Sequence, residues 1–193
     1  MGRASRKFVF PVLGLLCLVL FYSTRATGEG SANQSRIDHG RQLVLTHGCG
    51  DCHTPWKLGA NGPEPDSSRL LSGHPQELVM PPAPPAQGPW LVNASATFTA
   101  WGGPWGVSFS KNLTSDKETG LGTWTEENFI QTMRTGREMG KGRMLLPPMP
   151  WPSYQHLTDE ELKSMYAYLM SIPVISNKIP DPVAPSAPEP AKK

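Results

Sequence analysis

The apolar positions of this chain fall into runs of very different kinds. The first, Phe8–Tyr22, is fifteen residues of almost uninterrupted apolar side chains. It is broken by Pro11 and Gly14 and is short of the ~20 residues that span a bilayer. Arg3, Arg6 and Lys7 precede it, and Thr24 and Ala26 place small residues at a cleavage position. This order of basic, apolar and small residues reads as an export signal over 1–26, with an uncleaved anchor as the alternative. A polar linker, 27–35, follows. Ser35 then reads as an N-cap, and Ile37, Gly40, Leu43, Val44 and His47 recur at helical spacing up to Gly48.

Residues 57–105 carry no period of 3.6 or 2, apart from Thr97, Phe98 and Thr99, which suit a short strand within Leu91–Thr99. Helical spacing returns at Thr125-Glu-Glu-Asn, with Phe129, Ile130 and Met133 on one side and Gly136 where a C-terminal cap belongs. Thr158-Asp-Glu-Glu161 is a capping box for a last helix. Its stripe is Leu162, Met165, Tyr166 and Leu169, and Pro173 stops it.

Composition sharpens this outline. The 193 residues include 21 Pro and 19 Gly, which excludes a long helical bundle or coiled coil and points to one loop-rich domain. Nine of the prolines lie in 57–105, which predicts an irregular Pro-rich excursion inserted into a helical domain over 36–172. Six more fall in 173–193, predicting a disordered tail. The formal charge of +2 belongs to the signal, because all four charged residues of 1–26 are basic. Without them 14 basic residues face 16 acidic ones, and no nucleic-acid footprint is left. Cys17 goes with the signal, leaving Cys49 and Cys52 as a disulfide, a metal clip or a cofactor tether.

The residue after them decides. Cys49-Gly-Asp-Cys52-His53 is the C-x-x-C-H pattern of covalent haem attachment. On one helical turn, positions i, i+3 and i+4 share a face, so two thiols reach the two vinyl groups at one porphyrin edge while the imidazole points at the iron. A zinc clip would want a second Cys or His pair, and a redox dithiol would want a βαβ context; neither pattern is present.

With these residues in hand, the chain resembles the class I c-type cytochromes, in particular an exported bacterial monohaem group. The resemblance rests on Gly40-Arg-Gln-Leu-Val44, Cys49–Pro55, Asn112-Leu-Thr-Ser-Asp116, Trp124-Thr-Glu-Glu-Asn-Phe129, Arg134-Thr-Gly136, Leu146-Pro-Pro-Met-Pro-Trp151, Thr158-Asp-Glu-Glu-Leu162 and Tyr166-Ala-Tyr-Leu169. It implies a mostly α cytochrome c fold, with N- and C-terminal helices packed around one covalently bound haem c. It also implies His and Met as axial ligands, and electron carriage. One departure stands out: Asn112-Leu113 follows His53 by 59 residues instead of closely, which places the long insertion in the loop beneath the haem.

His53 is then the proximal ligand. For the sixth position Met149, in Pro147-Pro-Met-Pro-Trp151, matches the family's ligand loop, and flanking prolines stiffen the backbone that would present it. Met144 is its near rival, and Met80 sits beside its own proline pair. Met133, Met165 and Met170 fall on predicted helices and read as core. His39, His47, His74 and His156 read as ordinary histidines, with a bis-His site as the alternative. Trp124 or Arg143 is a candidate donor to a haem propionate, and Pro55 a candidate orienter of His53. Arg134, Arg137, Lys141 and Arg143 form a candidate basic docking patch.

The expected function is one-electron transfer in the periplasm or another exported location, and not catalysis. The protein would act as a shuttle or as the cytochrome subunit of a respiratory oxidoreductase, with redox proteins, including a membrane-bound complex, as partners. An open-site haem protein, peroxidase-like or gas-sensing, is the alternative if Met149 does not bind iron.

Overall fold

From Ile37 onward, helix α1 (30–46) forms the first face of the core, and the helix begins before the expected cap at Ser35. Ser31-Ala-Asn-Gln34, expected as linker, contains no Pro or Gly to stop it, and the turn is helical throughout. The computed structural model describes residues 30–84 and 89–185. The predicted signal at 1–26, linker residues 27–29, residues 85–88 of the Pro-rich run and the end of the tail, 186–193, lie outside the described residues. Two units divide the chain: one ends at Arg36, and the other runs from Ile37 to Lys193 and holds everything that follows.

Leu43 and Val44 of α1 are buried against the last helix, α5 (Asp159–Ser171), which contributes Leu162, Met165, Tyr168 and Leu169. The two backbones meet at Gly40. A Cβ there would sit 1.8 Å from the Ser164 carbonyl oxygen and 3.0 Å from the Tyr168 Cβ. The crossing is therefore closer than any other residue type permits. Thr158 and Glu161 cap α5 reciprocally, as the sequence predicts. The buried tyrosine is Tyr168. Tyr166 is half-buried and donates its hydroxyl to the Trp124 carbonyl at 2.6 Å.

Helix α3 (Glu126–Thr135) closes the core with Phe129, Ile130 and Met133. It opens at Thr125 and ends at Gly136 in the left-handed conformation, both where the sequence places them, and a reciprocal Thr125–Asn128 pair, not among the sequence expectations, caps its start. A four-residue helix, α4 (Trp151–Tyr154), follows the Pro-rich loop and carries no period long enough to be read from sequence.

The inserted region is more regular than expected. After the short helix α2 (Cys49–His53), β1 (Trp56–Gly59) and β2 (Gly62–Pro65) make an antiparallel hairpin. β3 (Asn93–Ala94), β4 (Ala100–Gly103) and β5 (Gly106–Phe109) make an antiparallel sheet in that order. The short strand expected within Leu91–Thr99 is there as β3, but Thr97 and Phe98, which suit a strand, lie in a turn. Ser95 and Thr97 share a hydroxyl bond at 3.0 Å, and Thr97 and Thr99 share one at 2.8 Å. The Ser95 hydroxyl also accepts the Ala100 N–H at 3.1 Å. These hydroxyls compete with the ladder and turn the chain.

The predicted disordered tail is corrected up to residue 185. Residues 173–185 run as an extended strap held by hydrogen bonds to the insertion and to the chain that follows it. The Ile175 carbonyl accepts from Asn112 Nδ2 at 2.8 Å, and Val183 exchanges backbone bonds with Val107 at 2.8 and 2.9 Å. Asn177 is buried. Proline content excludes helix, but it does not prevent an extended chain from being held by side-chain donors.

Candidate functional site

Helix α2 brings Cys49, Cys52 and His53 to one cavity of about 710 Å³, within the ~300–1,000 Å³ of small-molecule and cofactor sites. The cavity walls are largely apolar: Leu113, Leu121, Phe129, Met133, Leu146 and Leu169 line it. Burial pushes the Cys49 thiol up to about 12 and raises Cys52 also.

His53 is held neutral by burial, opposed only in part by its hydrogen bond to Lys111. Its Nδ1 lies 2.7 Å from the Lys111 carbonyl oxygen, which can only accept, so Nδ1 carries the proton and Nε2 keeps its lone pair. The orienting carbonyl is thus Lys111. That of Pro55, the sequence candidate, instead accepts the Asp66 N–H at 2.8 Å. Lys111 precedes Asn112 and lies far from His53 in sequence, so spacing within the motif carries no signal for it.

The loop after α3 supplies the methionine side. Met149 lines the cavity and packs against the core. Its loop is tied down by Ser108 of β5, whose hydroxyl donates to the Pro147 carbonyl at 2.6 Å. Met144, in a bridge with Arg137, is 43% exposed, and neither it nor Met80 nor Met170 lines the cavity. Met133 and Met165 line it from helices where they are buried core side chains. Met139 also lines it and was not singled out by the sequence. It sits in a short 3-10 turn (Glu138–Gly140) with a positive φ of 51°, a conformation that sequence periodicity cannot reveal.

The histidines separate in the same way. His47 lines the cavity but its Nδ1 is bound to the Leu43 carbonyl at 2.9 Å, and His39 and His156 lie outside it. His74 is fully buried, with Nε2 donating to the Leu78 carbonyl at 2.9 Å and Nδ1 accepting from the Thr99 hydroxyl at 3.0 Å.

Trp124 and Arg143 both line the cavity. The Arg143 guanidinium is already paired with Glu138 at 2.7 Å, and Glu138 also meets Lys111 at 3.5 Å. Arg134 is structural: it donates to the Gln155 carbonyl at 2.5 Å and pairs with Asp159 at 2.6 Å. The four cations expected as one patch therefore divide. Lys141 and Arg143 stand at the cavity; Arg137, outside it, donates to the Gly142 carbonyl at 3.2 Å, and Arg134 is spent bracing α3 against α4 and the start of α5.

The donor set fits a covalently attached haem. Two cysteine side chains lie one helical turn apart, an imidazole offers Nε2 to an apolar space, and a thioether lines the same space. Among the described residues no three His, Cys, Asp or Glu side chains converge as a metal cluster.

A profile of the family described as Cytochrome c matches residues 37–173. The chain is 31% identical over 141 residues to a fructose dehydrogenase cytochrome subunit of Gluconobacter japonicus, covering 73% of this chain and 22% of that protein. It is 29% identical over 157 residues to a gluconate 2-dehydrogenase cytochrome c subunit of Pantoea cypripedii, covering 81% of this chain and 28% of that one. A nicotinate dehydrogenase subunit of Pseudomonas putida matches at 29% over 153 residues, 79% of this chain and 10% of its own length. The chain thus spans between a tenth and about three tenths of the length of these relatives.

Proposed function

Since this chain belongs to the cytochrome c family, we propose that it carries single electrons through one haem c tethered by Cys49 and Cys52, with His53 and Met149 as axial ligands. The observation that carries the reading is the gathering of these four side chains on one apolar cavity. When bound, haem supplies an iron that alternates between ferric and ferrous states. The chain's own residues do the rest. The Lys111 carbonyl fixes the His53 tautomer and raises the basicity of the coordinating nitrogen. Ser108 steadies the Met149 loop, and the apolar lining excludes water. A thioether opposite an imidazole raises the reduction potential above that of two imidazoles, and two strong axial ligands leave no position for substrate.

Three relatives carry names of dehydrogenase subunits, two of them explicitly cytochrome subunits. The corresponding role here is the electron-accepting cytochrome of an exported oxidoreductase, passing electrons to a respiratory partner, with substrate chemistry left to another chain. Among the described residues no helix is long and apolar enough to cross a membrane.

The test is the optical spectrum of the purified haem protein, oxidised and reduced, with and without CO, for the parent and for Met149→Ala. The parent is expected to be low-spin, to show the weak far-red sulfur-to-iron band and to ignore CO. The variant is expected to lose that band, bind CO and drop in potential. A parent that is high-spin and takes CO readily would instead support an open site for peroxide or gas. A variant spectrum identical to the parent would move the ligand to Met139, the other loop methionine on the cavity.

A further inference from the structure

We infer that Gly73, in the inserted segment, is a positioning residue for His53: its close approach to the Lys111 carbonyl holds that carbonyl on the imidazole Nδ1–H and so sets the donor strength of the axial nitrogen. The inference rests on the proposal that His53 binds iron.

Residues Leu71–His74 are buried and wedged between the haem-motif segment and the chain around Lys111. On one side the Gly73 N–H donates to the His53 carbonyl at 2.8 Å, and the Leu71 N–H donates to the Thr54 hydroxyl at 3.0 Å. On the other side the His74 N–H donates to the Ser110 carbonyl at 2.9 Å, and the Leu113 N–H donates to the Leu71 carbonyl at 2.9 Å. The wedge thus fixes the spacing between the His53 backbone and residues 110–113.

At Gly73 the fit is tightest. Its φ is +78°, and a Cβ there would lie 2.4 Å from the Ser110 carbonyl oxygen. It would also lie 2.6 Å from the Lys111 carbonyl carbon and 2.7 Å from its oxygen, the atom that accepts from His53 Nδ1 at 2.7 Å. All three are backbone atoms, which cannot swing aside as a side chain would. The wedge cannot retreat either. The amide of Asn177 in the strap donates to the Ser72 carbonyl at 2.6 Å and to the His74 carbonyl at 2.9 Å, the two carbonyls flanking Gly73. Its Oδ1 accepts the Gln76 N–H at 3.0 Å. A side chain at 73 therefore displaces the Lys111 carbonyl.

The consequence has a sign. A carbonyl on Nδ1–H pushes electron density toward the coordinating nitrogen and favours the ferric state. Moving the carbonyl away weakens that push, so the ferrous state gains and the potential rises. The experiment uses haem-loaded full-length protein carrying Gly73→Ala, with two readouts: the midpoint potential, and the exchange rate of the His53 Nδ1 proton followed by NMR in the reduced state. The expected result is a potential above the parent's and proton exchange about fivefold faster, the factor that corresponds to one lost neutral hydrogen bond.

Gly62→Ala is the control, because Gly62 in the β1–β2 turn also has a positive φ, +116°, but no atom within 4 Å of the added Cβ. It strains the backbone and is expected to move stability without moving either readout. If Gly73→Ala does not load haem, Asn177→Ala decides, since it removes the amide donors to Ser72 and His74 without adding bulk or charge; the same two shifts are expected. Potentials and exchange rates equal to the parent's in a loaded Gly73→Ala protein, or in Asn177→Ala where the first does not load, overturn the inference. A parent that shows no low-spin haem overturns the ligand assignment itself, which is a separate failure.

Discussion

Gly40→Ala is the most direct probe of how this fold holds together. The added methyl would sit 1.8 Å from the Ser164 carbonyl oxygen and 2.4 Å from its carbon, both backbone atoms of α5. An ordinary carbon–oxygen contact is about 3.3 Å, so α1 must withdraw from α5 by an ångström or more; a gap of ~0.5–1 Å already forfeits a quarter to a half of each dispersion contact. The loss is spread over Leu43 and Val44 against Leu162, Met165 and Leu169. Overpacking of this kind costs about 3 kcal/mol. Replacing Gly by Ala in a helix returns about 1 kcal/mol. The net of about 2 kcal/mol corresponds to a fall in melting temperature of roughly 4–8 °C for a domain of this size.

The assay is thermal unfolding of the haem-loaded protein by circular dichroism, with Gly50→Ala alongside. The Cβ at residue 50 would meet only the Thr54 hydroxyl, at 3.6 Å, an ordinary contact. The control should therefore melt at or slightly above the parent. A Gly40→Ala protein that melts with its control would refute the close crossing of α1 and α5.

Two further outcomes follow from single side chains. Ser108→Ala removes the hydroxyl that donates to the Pro147 carbonyl. It should cost about 1 kcal/mol, seen as loss of the sulfur-to-iron band at a temperature below the parent's. For His74, burial lowers the imidazole below its ordinary value of 6.5, so the unfolded chain takes up the proton first. Its contribution to stability is complete above pH 6.5 and is lost as pH falls through the depressed folded value. Urea unfolding over pH 4–8 should show that decline, and His74→Gln should flatten it.

The helical core was legible because its signals are local. The capping pair Thr158–Glu161 lies three residues apart, and the α1, α3 and α5 stripes repeat at the helical period. The C-x-x-C-H segment and the Met149 loop were legible for a similar reason, since motif residues sit close in sequence. The rest depends on partners remote in sequence. Lys111 serves His53 through its backbone carbonyl, which no side-chain pattern marks. Asn177 lies about a hundred residues from the carbonyls it holds, so the strap reads as tail until those partners are known. In the insertion, Thr97 and Thr99 favour a strand by propensity, yet their hydroxyls, bonded to each other and to Ser95, hold a turn.

The pairing of Val183 with Val107 has a consequence for the protein's behaviour in company. β5 is the outermost strand of its sheet, and an unpaired outer strand presents a row of amides and carbonyls to any other extended chain. At Val107 both backbone groups are already taken by Val183 of the same molecule. The strap thus covers that margin at Val107, where the open strand would otherwise offer a template for sheet-to-sheet aggregation.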